Sequence, residues 1–500
     1  MLNRIKVDLD RRIGAIDRRI FGSFVEHLGR CVYGGIHDPD SPLADANGLR
    51  SDVRGAIERL GISQIRYPGG NFVSGYRWRD GIGPVGDRPT RADLAWFSLE
   101  PNTFGTNEFI RFCRTIGAEP YLVVNAGDGD LREARDWVEY CNGTTETSLA
   151  KLRAEHGSLE PHAVRYWGIG NEVDGHWQIG AKTAGEYART YHEFAKLMRW
   201  TDPSIELIAS ATSDWDVDVV ERAQALVEEA GELIDYMSIH WYVGNQSGDL
   251  AAYLATSEVI EERLRSYEGL MAGLTLGSSG RRLVRDGQRR PIPLAVDEWN
   301  VWYRTAAPNN GTPPHLLEEV YDLADALVVA MHLNAFIRHA ATVRMANIAQ
   351  LVNVIAPIFS GPDGIVLQTI FHPFELFSRT TGSIALDPWW DGATFDGGRH
   401  GSVRTLDVSA SLDPDRRRLA VHVVNRDASD AQEVAIELAG GAFAGTVSVA
   451  TIGGSSLSET NTFDRPDAIG TSEQTLDVPD SAAFHHTLQP RSVTGFVFTV

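Results

Sequence analysis

Apolar residues along the first three quarters of the chain follow two alternating rhythms. Short runs that are apolar nearly throughout are separated by longer stretches with apolar residues three and four apart. The first kind predicts strands buried on both faces, and the second predicts amphipathic helices. Eight short runs qualify: RIFGSFVEH (19–27), ISQIRYPGG (62–70), EPYLVVNAG (119–127), YWGIGNE (166–172), ELIASA (206–211), DYMSIHWY (235–242), PLAVDEWN (293–300) and MANIAQLVN (345–353). Between them, DVRGAIERLG, NEFIRFCRTIG and AGEYARTYHEFAKLMRW carry helical spacing, and two of the three end near glycine, a common helix stop. Eight strand–helix units in succession predict an α/β fold, a (β/α)8 TIM barrel over 18–382. An open doubly wound sheet is the alternative, but no GxGxxG follows the first strand.

After residue 383 the rhythm changes. RRLAVHVVNRD, QEVAIELAG, GTVSVATIGG, EQTLDVPD and SVTGFVFTV alternate at period two, with Gly, Asp, Ser and Pro between them. This predicts a C-terminal all-β sandwich, jelly-roll-like, over 383–500. NRIKVDLD alternates in the same way, so residues 1–17 are expected to lend that sandwich a strand before the chain enters the barrel.

Charge then narrows the partners. Sixty-seven acidic against 46 basic side chains leave a net charge of -21. Such a field repels nucleic acid and anionic membranes but tolerates a neutral substrate such as a sugar. Cys31, Cys113 and Cys141 form no CxxC pair, which indicates neither a zinc site nor a disulfide framework and fits a reducing compartment. The N-terminus has no apolar core of signal-peptide length and no run is long enough to span a membrane, so a cytoplasmic protein is expected. HExxH and P-loop motifs are absent, and no metal or cofactor is expected. Acidic clusters at 214–222 and 318–325 read as solvated helix faces, and RRLVRDGQRR (281–290) as a surface excursion before the seventh strand.

In a TIM barrel, active sites form at the C-terminal ends of the strands. The polar residues that end these runs are Glu26 and His27; Arg66, with Asn71 just beyond; Asn125; Asn171 and Glu172; His240 and Tyr242; Asp297, Glu298 and Asn300; and Gln350 and Asn353. Scattered burial of so many polar groups would be costly; gathered at one mouth they can solvate a polyhydroxylated ligand. Glu172 and Glu298 stand on strands four and seven, opposite each other across an eight-stranded ring. Glycoside hydrolysis needs such a pair, one carboxylic acid to assist the leaving oxygen and one carboxylate to attack the anomeric carbon. A single strand-end Glu reads equally well as a structural ion pair; two on opposing strands favour chemistry.

The ordered set FGSFVEHLGRCVYGGI, RYPGGNFVSGYRWRDGIGP, NEFIRFCRTIGAEPYLVVNAG, YWGIGNEVDGHWQIG, SIHWY and DEWNVWY resembles the α-L-arabinofuranosidases of glycoside hydrolase family 51 over nearly the whole chain. The resemblance implies Glu172 as general acid/base and Glu298 as nucleophile of a retaining, exo-acting enzyme on arabinan- and arabinoxylan-derived oligosaccharides. It implies that Glu26, Asn71, Asn171, Tyr242 and Gln350 bind the terminal furanose and that Arg66 steadies the nucleophile. Trp96, Trp177 and Trp302 match aromatic positions around the pocket, although core or loop packing explains indoles there equally well. His240 shares a face with Tyr242, in a catalytic or a structural role. His27 and Asn125 read as scaffold. The resemblance also implies a homo-oligomer, a hexamer. Another retaining barrel glycosidase, such as a β-xylosidase or endoglucanase, and a non-catalytic carbohydrate-binding protein are the alternative readings.

Overall fold

The computed structural model describes residues 2–144, 146–214, 218–277, 283–285, 288–306 and 311–500, apart from the side chains of 444, 479 and 480. Eight parallel strands close into a barrel in sequence order: β1 (Gly22–Phe24), β2 (Gln64–Tyr67), β3 (Glu119–Val124), β4 (Tyr166–Ile169), β5 (Glu206–Thr212), β6 (Tyr236–Val243), β7 (Leu294–Val301) and β8 (Val343–Ala349), with β8 paired to β1. The barrel interior is filled by Tyr121, Val123, Tyr166, Ile208, Tyr236, Ala295 and Met345 from six strands, a small cluster that Val73 joins from the turn after β2. That packing leaves the mouth for polar groups.

The surrounding helices are α1 (Ser51–Leu60), α2 (Thr106–Ile116), α3 (Leu131–Asn142), α4 (Ala184–Thr201), α5 (Val219–Ala230), α6 (Ser257–Leu276), α7 (Leu323–Arg338) and α8 (Phe371–Thr380). Their ends are written locally. Thr183 and Glu186 form a reciprocal capping box at the start of α4. Gly117 ends α2 in the left-handed conformation, φ +73°. Helix α7 is buried from Leu323 to Ile337, because the barrel covers one side and the β-domain the other. Across that second contact Asn334 donates to Asp407 at 2.7 Å and Arg338 pairs with Asp407 at 3.2 Å. His422 also stacks on Phe377 of α8, ring centroids 4.0 Å apart.

The C-terminal region is mostly sheet. A seven-stranded sheet (Arg12–Ala15, Ile384–Leu386, Leu406–Asp413, Arg418–Asn425, Ser492–Thr499, Phe443–Gly453, Thr471–Ser481) accompanies a four-stranded one (Trp389–Asp391, Asn3–Val7, Gln432–Leu438, Ala483–Leu488). Both sheets feed one apolar core that includes Ile5, Val7, Val421, Ile436 and Phe496. Asn3–Val7 pairs parallel with Gln432–Leu438 and antiparallel with Trp389–Asp391.

Several elements differ from the reading of the pattern. Only Gly22–Phe24 of the first run is strand; Arg18–Phe21 forms a 3-10 turn capped by Asp17. The fourth strand stops at Ile169, since Gly170 and Glu172 take positive φ. Leu406–Asp413 is an eight-residue strand that LDVSASLD, rich in small residues, did not announce. The acidic cluster at 318–325 is not a solvated face. Glu319 is fully buried and accepts the backbone N–H groups of Tyr303, Arg304 and Thr305. Asp325, also buried, pairs with Arg304 at 2.7 Å. Of the cluster at 214–222, residues 215–217 lie outside the described residues, as do 281, 282, 286 and 287 of the basic stretch. No helix of the described residues is long and apolar enough to cross a membrane.

Candidate active site

The site begins with an irregularity in β7. Ser238 of β6 pairs with Ala295 and His240 with Glu298, so β7 spends three residues where β6 spends two. On its other side Val296 pairs with Ala346 of β8, and Trp299 with Ile348. An extra residue is thus inserted, and a bulge of this kind lets two successive side chains serve one face. Asp297 accepts from Tyr121 Oη at 2.7 Å and from the Ser238 hydroxyl. Its neighbour Glu298 accepts from Tyr242 Oη at 2.7 Å on Oε1 and from Arg66 Nη1 at 2.8 Å on Oε2.

Arg66, from β2, is the hub. It is buried, lies over the ring of Phe24 at 4.8 Å, and donates also to Asn171 Oδ1. Its Nε is 3.5 Å from Asp297 Oδ2. A buried cation persists only with such partners. Burial alone would push Asp297 up, but Arg66 and the His240 and Ser238 hydrogen-bond donors hold it well below the usual carboxylate range. His240 Nδ1 is 3.1 Å from Glu172 Oε1 and 3.4 Å from Glu298 Oε2, while its Nε2 is 3.3 Å from Asp297. Burial disfavours the imidazolium, yet these three carboxylates outweigh it and raise His240 to about 10.

Glu172 stands just beyond β4 with φ +44°, a left-handed conformation uncommon outside glycine and associated with functional sites. Its Oε2 accepts Trp177 Nε1–H at 2.8 Å, and 12% of its side chain is exposed. Burial raises its pKa and so does the charge of Glu298; the His240 hydrogen bond works against both. An oxygen of Glu172, an oxygen of Glu298 and a ring nitrogen of His240 lie within 4.8 Å of one another. Three such atoms could hold a cation, but both ring nitrogens of His240 already face carboxylates, Nδ1 Glu172 and Nε2 Asp297, and both oxygens of Glu298 are taken by Tyr242 and Arg66. The donor set therefore fits a metal poorly.

Glu26, beyond β1, forms the adjoining corner. Its Oε1 accepts Phe72 N–H at 3.0 Å and Trp96 Nε1–H at 2.9 Å; its Oε2 accepts from Gln350 at 2.9 Å. Burial raises Glu26 to about 8. Gly69, φ +149°, passes so close that a Cβ there would lie 2.3 Å from Glu26 Cγ, which is why PGGN carries glycine at this point. Asn71 is half-buried next to Phe72 at the head of the turn. Trp302 meets Tyr242 edge to face at 5.3 Å.

Strand-end position thus assembles Arg66, Asn171, Glu172, His240, Tyr242 and Glu298 into one hydrogen-bonded system and Glu26 with Gln350 into a second, which Trp96 joins from a hairpin outside the barrel strands. The N–H groups of Trp96 and Trp177 go to carboxylates, which simple core packing does not require. Other strand-end polar groups face the scaffold: Asn125 binds Tyr76 O and Asp128, Asn300 binds Ala349 O and Ile355 O, and Asn353 binds Arg30 O and Ser360. His27 is held by Glu100 and Tyr67. Tyr121 and Ser238, which fix Asp297, were not singled out by sequence. The available signal was period two: Tyr236, Ser238, His240 and Tyr242 share one face of β6.

Two family models match the chain, the α-L-arabinofuranosidase 1 domain over residues 56–258 and the α-L-arabinofuranosidase C-terminal domain over 297–492. An intracellular exo-α-(1→5)-L-arabinofuranosidase of Streptomyces lividans is 43% identical over 447 residues, 87% of this chain and 66% of that protein. A protein of the same name from Acetivibrio thermocellus is 40% identical over 436 residues, 85% of each chain. Among solved structures, the arabinose complex of α-L-arabinofuranosidase from Thermotoga maritima superposes with TM-score 0.90 at 38% identity, covering 100% of both chains. The family 51 enzyme of Thermotoga petrophila gives 0.89 at 38%, covering 99% of both. The chain belongs to the α-L-arabinofuranosidases of glycoside hydrolase family 51.

Proposed function

We propose that this protein is a retaining, exo-acting α-L-arabinofuranosidase that releases terminal non-reducing α-L-arabinofuranosyl residues from arabinan- and arabinoxylan-derived oligosaccharides. The observation that carries the reading is the pair Glu172 and Glu298, with an oxygen of each within 4.8 Å of the other. Retaining enzymes hold their carboxyl groups about 5–5.5 Å apart, whereas inverting ones leave room for a water.

Glu298 attacks the anomeric carbon as the bond to the leaving oxygen breaks, and the proton of Glu172 passes to that oxygen. Tyr242 and Arg66 each bind one oxygen of Glu298, so the attacking carboxylate is aimed before substrate arrives. Burial and the negative Glu298 hold the proton on Glu172. Once Glu298 is esterified its charge is gone, and Glu172 becomes a stronger acid, hence ionised. It then takes a proton from water, whose oxygen attacks the anomeric carbon and releases Glu298. Glu26, Asn71, Asn171 and Gln350 bind the furanose hydroxyls. Asn171 Nδ2 and Gln350 Oε1 are buried without a protein partner, which supports this role. Trp177 and Trp302 line the entrance.

The same reading takes residues 18–382 as the catalytic barrel and 1–17 with 383–500 as the β-domain, supported by the pairing of Asn3–Val7 with Gln432–Leu438. Cytoplasmic placement rests on the intracellular relatives. A homohexamer follows from the family resemblance; light scattering that gave a monomer at micromolar concentration would exclude it. Nitrophenyl glycosides test the substrate: turnover of the α-L-arabinofuranoside well above the β-D-xyloside is expected, and the reverse order would favour a β-xylosidase. Proton NMR should show α-arabinofuranose as the first product.

A further inference from the structure

Glu26 and His27 are consecutive residues beyond β1, and each holds one end of the same hairpin. That hairpin pairs Arg91–Asp93 with Ser98–Glu100. In its turn, Trp96 donates to Glu26 at 2.9 Å. At its base, Glu100 Oε2 is 2.9 Å from His27 Nδ1. The other oxygen of Glu100 accepts the Tyr33 hydroxyl at 2.5 Å and the Asn102 N–H at 2.6 Å. His27 Nε2 in turn lies 3.0 Å from Tyr67 Oη. Glu100 and His27 are 4% and 6% exposed, so the contact between them is buried.

Elsewhere the hairpin is loosely held. Leu94, Phe97 and Leu99 are 67%, 89% and 73% exposed. The Arg91–Asp80 ion pair on its outer strand is at the surface, where such pairs contribute little. Behind the hairpin lies a cavity of about 230 Å³, lined by Tyr76, Arg77, Asp93, Glu100, Asp128 and Ile179 among others. A loop with exposed apolar residues on one side and open space on the other has its position set by its fixed points. Its two buried polar contacts with the β1 end, Trp96–Glu26 and Glu100–His27, are made to adjacent residues.

We infer that Glu100, through its buried contacts with His27 and Tyr33, is a positioning residue for this hydrolase: it sets the hairpin so that Trp96 reaches Glu26. Glu100 touches no substrate; its effect passes through the Trp96 indole. The inference rests on the reading of Glu26 and Trp96 as part of the sugar site.

A double-mutant cycle between Glu100→Gln and Trp96→Phe tests it. Glu100→Gln keeps the shape but removes the charge opposite His27. It should lower kcat/KM on an aryl α-L-arabinofuranoside about tenfold, the equivalent of one hydrogen bond, chiefly through KM. Trp96→Phe removes the N–H and should cost a similar factor. In the Trp96→Phe background, Glu100→Gln should cost less than about twofold, because the contact it positions is already gone. Fully multiplying losses, or an unchanged kcat/KM for Glu100→Gln alone, would overturn the inference. If Trp96→Phe alone left kcat/KM unchanged, the fault would lie with the assignment of the sugar site. Should Glu100→Gln not fold, Tyr33→Phe, which removes only the hydroxyl that donates to Glu100, carries the same cycle with the same outcomes.

Discussion

Deleting Glu172, the general acid of the proposed mechanism, should separate substrates by their leaving groups. In Glu172→Ala the proton donor is lost while Tyr242 and Arg66 still aim Glu298, so the attack itself remains possible. A positioned acid is worth about 10²–10⁴ in rate, or roughly 3–5 kcal/mol of barrier, when the leaving group must be protonated. A sugar or alkyl aglycone needs all of that; a 2,4-dinitrophenolate needs almost none. The variant should therefore lose about a thousandfold in kcat/KM on an arabino-oligosaccharide and less than about tenfold on the dinitrophenyl arabinofuranoside. On the activated substrate, release of arabinose from Glu298 becomes slow because no base serves the water. A burst of phenolate followed by slow turnover is expected. Azide, which needs no base, fits the space vacated beside His240 and should restore turnover as the α-configured arabinosyl azide. Glu298→Ala should lose nearly all activity on every substrate. Stopped-flow absorbance and proton NMR of the azide product read both effects. Azide rescue of Glu298→Ala with the α-configured product, with Glu172→Ala unresponsive, would exchange the two roles and refute the assignment.

Glu26 makes stability pH-dependent. Its pKa rises from 4.5 to about 8 on burial, so the folded state binds the proton more tightly than the unfolded one. The resulting stabilisation is full below 4.5 and is lost as pH rises through about 8. Wild-type Tm should fall across that window, and Glu26→Gln should flatten the fall; parallel curves would contradict the assignment. Arg66→Met leaves Asp297 and Glu298 buried without their guanidinium, so a loss of about 3–5 kcal/mol in denaturant unfolding is expected, with kcat falling as well. A stability within 1 kcal/mol of wild type would show that His240 suffices alone. EDTA should leave activity intact; reversible loss on chelation would mean that a metal takes part after all.

The barrel was legible because a buried parallel strand needs a continuous apolar run, and the polar residue that ends each run marks the mouth. Arg66, Asn171, Glu172, His240, Tyr242 and Glu298 all sat at such ends. Less legible were groups whose position depends on chain outside the strands. Trp96 lies in a hairpin between β2 and α2, with no periodicity to say which way its N–H points. Glu319 and Asp325 carry the composition of a surface helix, yet Glu319 caps the backbone of 303–305 and Asp325 closes a capping box under Arg304. Composition reports solvation only where no buried donor competes for the carboxylate.

The two places that concentrate the chemistry both break the period of a strand. Asp297 and Glu298 are adjacent, as are Glu26 and His27, and alternation would send one of each pair outward. In β7 an inserted residue turns both carboxylates inward, Asp297 towards Arg66 and His240 and Glu298 towards Tyr242 and Arg66. At β1 the strand ends at Phe24, two residues early, so that Glu26 can take the pocket and His27 the hairpin that covers it. Neither device leaves a mark on residue type: DEW and VEH read as ordinary strand ends. A bulge is visible only in the register of its neighbours, and those neighbours are set by the closure of the whole ring. That is why Glu172 and Glu298 could be given roles from the chain alone, while Asp297, named only as one polar strand end among several, could not be tied to Arg66 and His240 before the register was known.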